Sequence, residues 1–305
     1  MSFETNLIPK IAIDAMGGDF APRNTVIGAI SALEIDQDIE LILVGQKDKI
    51  EKEIADNNLK FNSDNIVDAA EVIEMYDSPT GALKSKPDSS IVVGAKLVKE
   101  RKADAFVSAG NTGAMMAAST LLTGRIKGVS RPTIGAAFPT VSGKVCNVYD
   151  VGASVDSKPE HLFEYAVMGS IFVSEIQGTE NPTIGTLSVG EEDKKGNELV
   201  KNTNKLLKNS DLNFIGNVEG RDILNGTVDI VVCDGFVGNI ILKFGESVMS
   251  FLKGKLRSYA DQGLVNKLKV LTAKGTLKDS LKEMDYQTHG GVPLLGINGI
   301  EFIAE

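Results

Sequence analysis

Four times in this sequence an apolar, β-rich run ends on a small polar residue and then turns on glycine. Residues 11–14 (IAID) lead into Ala15, Met16, Gly17, Gly18 and Asp19, and residues 105–108 (AFVS) into Ala109, Gly110, Asn111, Thr112 and Gly113. Tyr149 and Asp150 lead into Val151, Gly152, Ala153 and Ser154, and residues 231–234 (VVCD) into Gly235, Phe236, Val237, Gly238 and Asn239. Glycine lets the backbone come close to a ligand, and N–H groups at the start of a following helix attract anions. Asn111 and Thr112 add neutral side-chain donors at one of these mouths. A small anion such as phosphate fits this pattern. There is no G-x-G-x-x-G after the first strand and no G-x-x-x-x-G-K-[S/T], which disfavours a tightly held dinucleotide. There is also no G-x-S-x-G elbow to present a nucleophilic serine.

Such turns need strands to carry them. β-rich runs fall at residues 10–14, 40–44, 105–108, 133–138, 145–149, 183–188 and 229–233. Helical patterns fall between them, at 24–33, 90–99, 159–176 and 238–252. Alternation of nearly continuous apolar strands with helices predicts an α/β fold with a mostly parallel sheet covered on both faces. In an open sheet of this kind ligands bind at the carboxyl ends of the strands, where these turns gather. No repeat or low-complexity linker divides the 305 residues, so one two-lobed domain is expected, with a lobe change near Pro132 or Pro182.

Composition narrows the function classes. With 42% hydrophobic and 24% charged residues, the chain can bury a sizeable core. A formal charge of −9 and a pI near 5.0 argue against nucleic-acid binding, which favours basic domains. Cys146 and Cys233 both sit in apolar runs and read as buried thiols of a reducing compartment. Two histidines and two scattered cysteines leave little for a structural zinc, and neither metal nor cofactor is expected. Residues 1–10 lack the pattern of a signal peptide, and no apolar run approaches the roughly 18 residues of a membrane span. A cytoplasmic protein is the expectation.

Six segments together resemble the bacterial phosphate acyltransferases of phospholipid synthesis, the PlsX family. They are residues 11–22 (IAIDAMGGDFAP), 103–113 (ADAFVSAGNTG), 150–168 (DVGASVDSKPEHLFEYAVM), 187–198 (LSVGEEDKKGNE), 216–239 (GNVEGRDILNGTVDIVVCDGFVGN) and 284–299 (MDYQTHGGVPLLGING). They occur in the family's order and cover nearly the whole chain. The resemblance implies a three-layer α/β/α sandwich like isocitrate and isopropylmalate dehydrogenases, shared with phosphotransacetylases, and a homodimer. It implies transfer of a fatty acyl group from acyl carrier protein to inorganic phosphate. Ala153, Ser154 and Ser157 depart mildly from the family's pattern. Members usually continue beyond the segment at 284–299 through a His-Gly-Ser motif and a closing helix, whereas this sequence ends at Glu305.

That reaction needs two reactants held in line and an oxyanion stabilised on the thioester carbonyl. Backbone N–H groups of residues 110–113 and 235–238, with the amides of Asn111 and Asn239, are suitable donors. Lys158 would neutralise the phosphate or the departing thiolate. The catalytic candidates are Asn111, Lys158, Lys195 and Asp234. The phosphate or substrate candidates are Asp14, Gly17, Gly18, Asp19, Ser108, Gly110, Thr112, Gly113, Gly235, Gly238 and Asn239, joined through the family match by Glu191 and Asn197. Each of Asp14, Asp19 and Asp234 has a plainer reading as the cap of the following turn or helix. For His161, in the first turn after Pro159, a capping or surface role competes with that of an acid toward the thiolate. The loop at 190–198 also reads as solvated charge. The nearest rival activity is a phosphotransacetylase using acyl coenzyme A. A dehydrogenase of the same fold and a silent membrane adaptor are further rivals.

The stretch 251–282 is basic, with eight lysines or arginines against Asp261 and Asp279, and carries Leu252, Leu256, Tyr259, Leu264, Leu268 and Leu271 at helical spacing. Residues 251–284 are expected to form a projecting helical hairpin. Its Leu264, Val265, Leu268, Lys267 and Lys269 would touch an anionic membrane or a partner, while the plainer reading packs the apolar side inward or at a dimer interface.

Overall fold

The computed structural model describes residues 8–280 and 291–304. The chain divides into two compact units, Met1–Pro132 with Gly291–Glu305, and Thr133–Gly290.

In the first unit the chain runs β1 (Lys10–Asp14), α1 (Arg23–Ile35), β2 (Glu40–Gly45), α2 (Lys47–Asp56) and β3 (Ile66–Asp68). It continues through α3 (Pro79–Ser85), α4 (Ser90–Lys99), β4 (Ala105–Ser108) and α5 (Thr112–Ala118), which runs on into a π-helical turn at Ser119–Thr123. β2 pairs with β1 and β3, and β1 with β4, all in parallel. Parallel strands need crossover connections, and α1 and α4 supply them here. Ala15, Val26, Ile30, Leu43, Ile50 and Ile66 form one buried cluster beneath α1 and α2.

The second unit contains β5 (Thr133–Pro139), β6 (Val145–Tyr149), α6 (Pro159–Gln177), β7 (Ile184–Leu187), α7 (Glu198–Lys208), β8 (Phe214–Val218), α8 (Gly220–Asn225) and β9 (Ile230–Val232). It ends in α9 (Gly235–Ala260) and α10 (Leu264–Ser280). β6, β9, β7 and β8 lie side by side in that order, all parallel, and β5 is antiparallel to β6. The chain then re-enters the first unit with β10 (Val292–Leu295) and β11 (Ile300–Ile303), an antiparallel pair whose β11 lies parallel to β4.

The expected α/β alternation and mostly parallel pairing are therefore present. Cys146 and Cys233 are unpaired and buried, and burial pushes the Cys146 thiol up to about 12. Helix α9 begins three residues earlier than expected and runs 26 residues, long and apolar enough to cross a membrane by length and composition alone. The sequence reading found no run of that length, because Lys243 and Glu246 interrupt the apolar pattern. The first turn of α9 is bound into the second unit, where the Gly235 N–H donates to the Ser154 carbonyl. Leu264, Val265 and Leu268 of α10 are 85%, 69% and 63% exposed, and Lys267 and Lys269 are also exposed.

Candidate functional site

In the first unit β1 and β4 end side by side, so their two glycine turns meet. Asp14 is buried, with 1% of its surface exposed. Its Oδ1 accepts the Met16 N–H at 3.0 Å and its Oδ2 accepts the Ser108 hydroxyl at 2.7 Å. Ser108 Oγ in turn accepts the Gly110 N–H at 3.1 Å. Desolvation raises the Asp14 carboxyl above its ordinary range, although Ser90, Ser108 and the backbone of Met16 and Gly17 favour its charge. The turns approach so closely that a Cβ on Gly17 would stand 2.6 Å from the Gly110 nitrogen and 2.7 Å from Asp14 Oδ2. Asp14, Ser108, Gly17 and Gly110 thus form a polar staple at the strand ends. Gly18 and Asp19 lie outside it and are exposed.

Asn111 caps α5. Its Oδ1 accepts the Ala114 N–H at 2.9 Å. Its Nδ2 donates to the carbonyls of Glu74, Met75 and Asp77 at 3.1, 3.2 and 3.2 Å. The side chain nominated as an oxyanion donor is thus engaged at both ends in fastening residues 74–77 to the helix start. A substrate oxygen would compete with three carbonyls for its amide. The first-turn N–H groups of Thr112 and Gly113 have no intrahelical acceptor by the geometry of a helix start, and they point out of it. Lys86 secures the same segment, donating to Asp77 Oδ2 at 2.6 Å and to the Val72 carbonyl at 2.8 Å.

In the second unit the strand ends of β6 and β9 repeat the device. Residues 150–154 lie against the start of α9, with the Gly235 N–H donating to the Ser154 carbonyl at 2.9 Å. The Gly238 N–H donates to the Asp234 carbonyl at 3.0 Å, and Asp234 Oδ1 accepts the Val237 N–H at 3.0 Å, so Asp234 caps α9. Two of the proposed backbone donors, Gly235 and Gly238, are thereby occupied within the protein. Their lack of a side chain has a steric cause. A Cβ would stand 2.5 Å from the Ser154 carbonyl oxygen at Gly235 and 1.8 Å from the Asp150 carbonyl oxygen at Gly238. Asn239 is exposed beside Gly152, where a Cβ would lie 3.4 Å from its Oδ1.

Asp150, not among the residues nominated from sequence, is wholly buried. Its Oδ1 accepts the N–H groups of Gly152 and Ala153 at 2.9 and 2.7 Å. Its Oδ2 is buried without a hydrogen-bond partner among the described residues. Burial first, and the nearby Asp234 charge last, push this carboxyl up to about 6 against the favourable N–H groups of residues 152–154. The sequence signal was present, since Asp150 stands at the end of β6 as Asp14 stands at the end of β1. What the sequence does not show is its burial.

Lys158 is the exposed N-cap of α6 and donates its backbone N–H to His161 Nδ1 at 3.1 Å. His161 is buried and caps the helix, and its Nδ1 is spent as an acceptor, which leaves Nε2 to carry the proton. Asn197 caps α7 through the Val200 N–H at 2.9 Å. Glu191 pairs with Arg221 at 3.0 Å, and both are well exposed. Lys195 is exposed, its stem passing over Gly190, where a Cβ would meet its Cγ at 3.2 Å. Among the described residues no cluster of His, Cys, Asp and Glu is arranged to hold a metal.

Residues 9–304 match the family described as fatty acid synthesis protein. The chain is 46% identical over 297 residues to a phosphate acyltransferase of Halothermothrix orenii, covering 97% of this chain and 89% of that protein. It is 49% identical over 296 residues to a phosphate acyltransferase of Desulfitobacterium hafniense, covering 97% and 88%. Among solved structures, a phosphotransacetylase from Streptococcus pyogenes superposes with a TM-score of 0.59 at 18% identity, over 79% of this chain and 82% of that one. A branched-chain phosphotransacylase from Enterococcus faecalis gives 0.55 at 14% identity, over 97% and 92%. These two likenesses bear on the fold, and the match along nearly the whole sequence settles the kinship: the chain belongs to the fatty acid synthesis protein family.

Proposed function

We propose that the protein transfers a fatty acyl group from the thiol of acyl carrier protein to inorganic phosphate, yielding an acyl phosphate for phosphatidic acid synthesis. The observation that carries the transfer to phosphate is the 46–49% identity, over 97% of the chain, to proteins named phosphate acyltransferase. In the reaction a phosphate oxygen attacks the thioester carbonyl, the C–O bond forms, and the C–S bond breaks. The thiolate leaves and takes up a proton. Phosphate near neutral pH is already partly dianionic, so no covalent enzyme intermediate is required. The protein's contribution is positioning and charge stabilisation.

The N–H groups of Thr112 and Gly113 at the start of α5 suit the phosphate, because the Asn111 cap takes only the Ala114 N–H and leaves these two donors at the positive dipole end. Lys158, Lys195 and Asn239 are exposed and remain our candidates for meeting the oxyanion and the thiolate. Asn111 holds the phosphate loop. Acyl carrier protein as donor, a homodimeric state and a peripheral contact of Leu264, Val265, Leu268, Lys267 and Lys269 with anionic membrane complete the reading. Exposed leucine and valine alternating with lysine along α10 support the membrane contact.

The test is incubation of acyl carrier thioester with phosphate, following release of thiol and formation of a hydroxylamine-trappable acyl phosphate. Product from the carrier thioester supports the activity with acyl carrier protein as donor. Product from acyl coenzyme A alone would replace the donor, and no product from either would overturn the activity.

A further inference from the structure

Asp150 is a buried carboxyl for which the proposed reaction has no direct use. It does not sit in a sealed apolar core, because both of its oxygens lie at the glycine mouth of the second unit. Oδ1 gathers the N–H groups of Gly152 and Ala153 and so curls residues 150–154 into their turn. Oδ2 lies where α9 begins, 2.9 Å from the point a Gly235 Cβ would occupy. The backbone of Asp150 is tied to the same place, its N–H donating to the Cys233 carbonyl at 3.2 Å and its carbonyl accepting the Cys233 thiol at 3.4 Å. Gly152, whose N–H the carboxylate holds, lies directly beneath the Asn239 amide.

We infer that Asp150 is a positioning residue for acyl transfer, its ionised carboxylate setting the turn at residues 150–154 and through it the placement of the Asn239 amide. The inference rests on the proposed activity, since it assigns a support to one of that reaction's groups. An ionised oxygen accepts two N–H bonds more strongly than a neutral carbonyl, so protonation relaxes the turn. The charged and titratable groups facing Asp150 are Asp234, whose charge disfavours its ionisation, and Cys233, whose thiol is held neutral by burial and by both carboxylates. No cation faces it among the groups that shift it, so the N–H groups of residues 152–154 are what sustain its charge. That carboxyl's pushed-up range, about 6, places the change within the pH span in which an enzyme is assayed.

An Asp150→Asn substitution tests this, because the amide keeps the shape and one accepting oxygen but loses the charge. The expected result at pH 8 is kcat lowered about tenfold, KM for phosphate changed less than kcat, and a melting temperature equal to or above the parent's. The activity lost by the parent between pH 7 and pH 5 should exceed that lost by the variant, phosphate's own titration being common to both. A variant with the parent's kcat and pH profile would overturn the inference. So would one whose activity falls only in step with a lower melting temperature, which would mark Asp150 as merely structural. Infrared difference spectra of parent and variant read the carboxyl's C=O band without turnover. A protonated-carboxyl band that appears in the parent near pH 6 shows the change of charge the inference requires, separately from whether acyl phosphate forms, and its absence from pH 5 to pH 8 overturns the inference.

Discussion

Gly238 gives a clear test of how the second unit's glycine mouth is built. A methyl group at this position would stand 1.8 Å from the Asp150 carbonyl oxygen, 2.8 Å from its carbon and 3.0 Å from the Cys233 sulfur, against an ordinary contact of 3.4–4 Å. Relief requires one backbone segment to retreat by about 1.6 Å, the difference between 3.4 and 1.8 Å. That retreat strains the bonds joining Asp150 and Tyr149 to Cys233. Forcing a methyl group into packed surroundings costs about 1–3 kcal/mol, occasionally more, and contact with backbone belongs at the upper end. Alanine's helix propensity offsets about 1 kcal/mol. Gly238→Ala is therefore expected to lose about 2 kcal/mol net. Gly254, in the same helix, has nothing within 4 Å of its Cβ position, so Gly254→Ala should gain about 1 kcal/mol. Urea titration followed by circular dichroism measures both. Equal midpoints for the two variants would refute the reasoning, because it requires opposite signs within one helix.

Three further outcomes are expected. Asn111→Ala should cost about 1–2 kcal/mol, since it removes a cap and unfastens residues 74–77, whose carbonyls then turn to water, so turnover and melting temperature should fall together. Asp150→Asn should stabilise the protein at pH 8 by up to about 3 kcal/mol. The folded carboxyl titrates near 6 and the unfolded one near 3.8, so ionisation costs stability as pH rises between these values, and thermal melts of parent and variant should converge below pH 4. Leu268→Asp should weaken flotation with liposomes containing anionic lipid at least tenfold while leaving the melting temperature unchanged, because Leu268 is 63% exposed.

Much of the strand and helix order was legible because its signals are local. β1, β4 and β6 and helix α4 fall at the expected residues, each a continuous apolar run or a helical repeat bounded by polar residues. β3 has only three residues, and β8 is interrupted by Gly216 and Asn217, so neither carries a pattern long enough to read. Pro293 lies within β10, and the parallel alignment of β11 with β4 is a long-range pairing that no local pattern encodes. At the site, the glycine turns were legible as close approaches. Their partners were not: the sequence suggested a ligand at Gly235 and Gly238, and the space is taken by Asp150 and Ser154. Asn111 likewise announced a polar side chain at a helix start, while the carbonyls it binds come from 34 to 37 positions earlier in the chain.

The return of β11 to the flank of β4 dictates an order of events during synthesis. A ribosome releases all of Thr133–Gly290 before Ile300–Ile303 emerges, so the later-encoded body has its complete sequence first. Meanwhile β4 waits with one side unclaimed, the kind of bare border that invites a stray strand. Slowing translation across that interval should lengthen the nascent chain's dependence on holdase chaperones, and supplying the 291–304 segment as a separate peptide should shorten it.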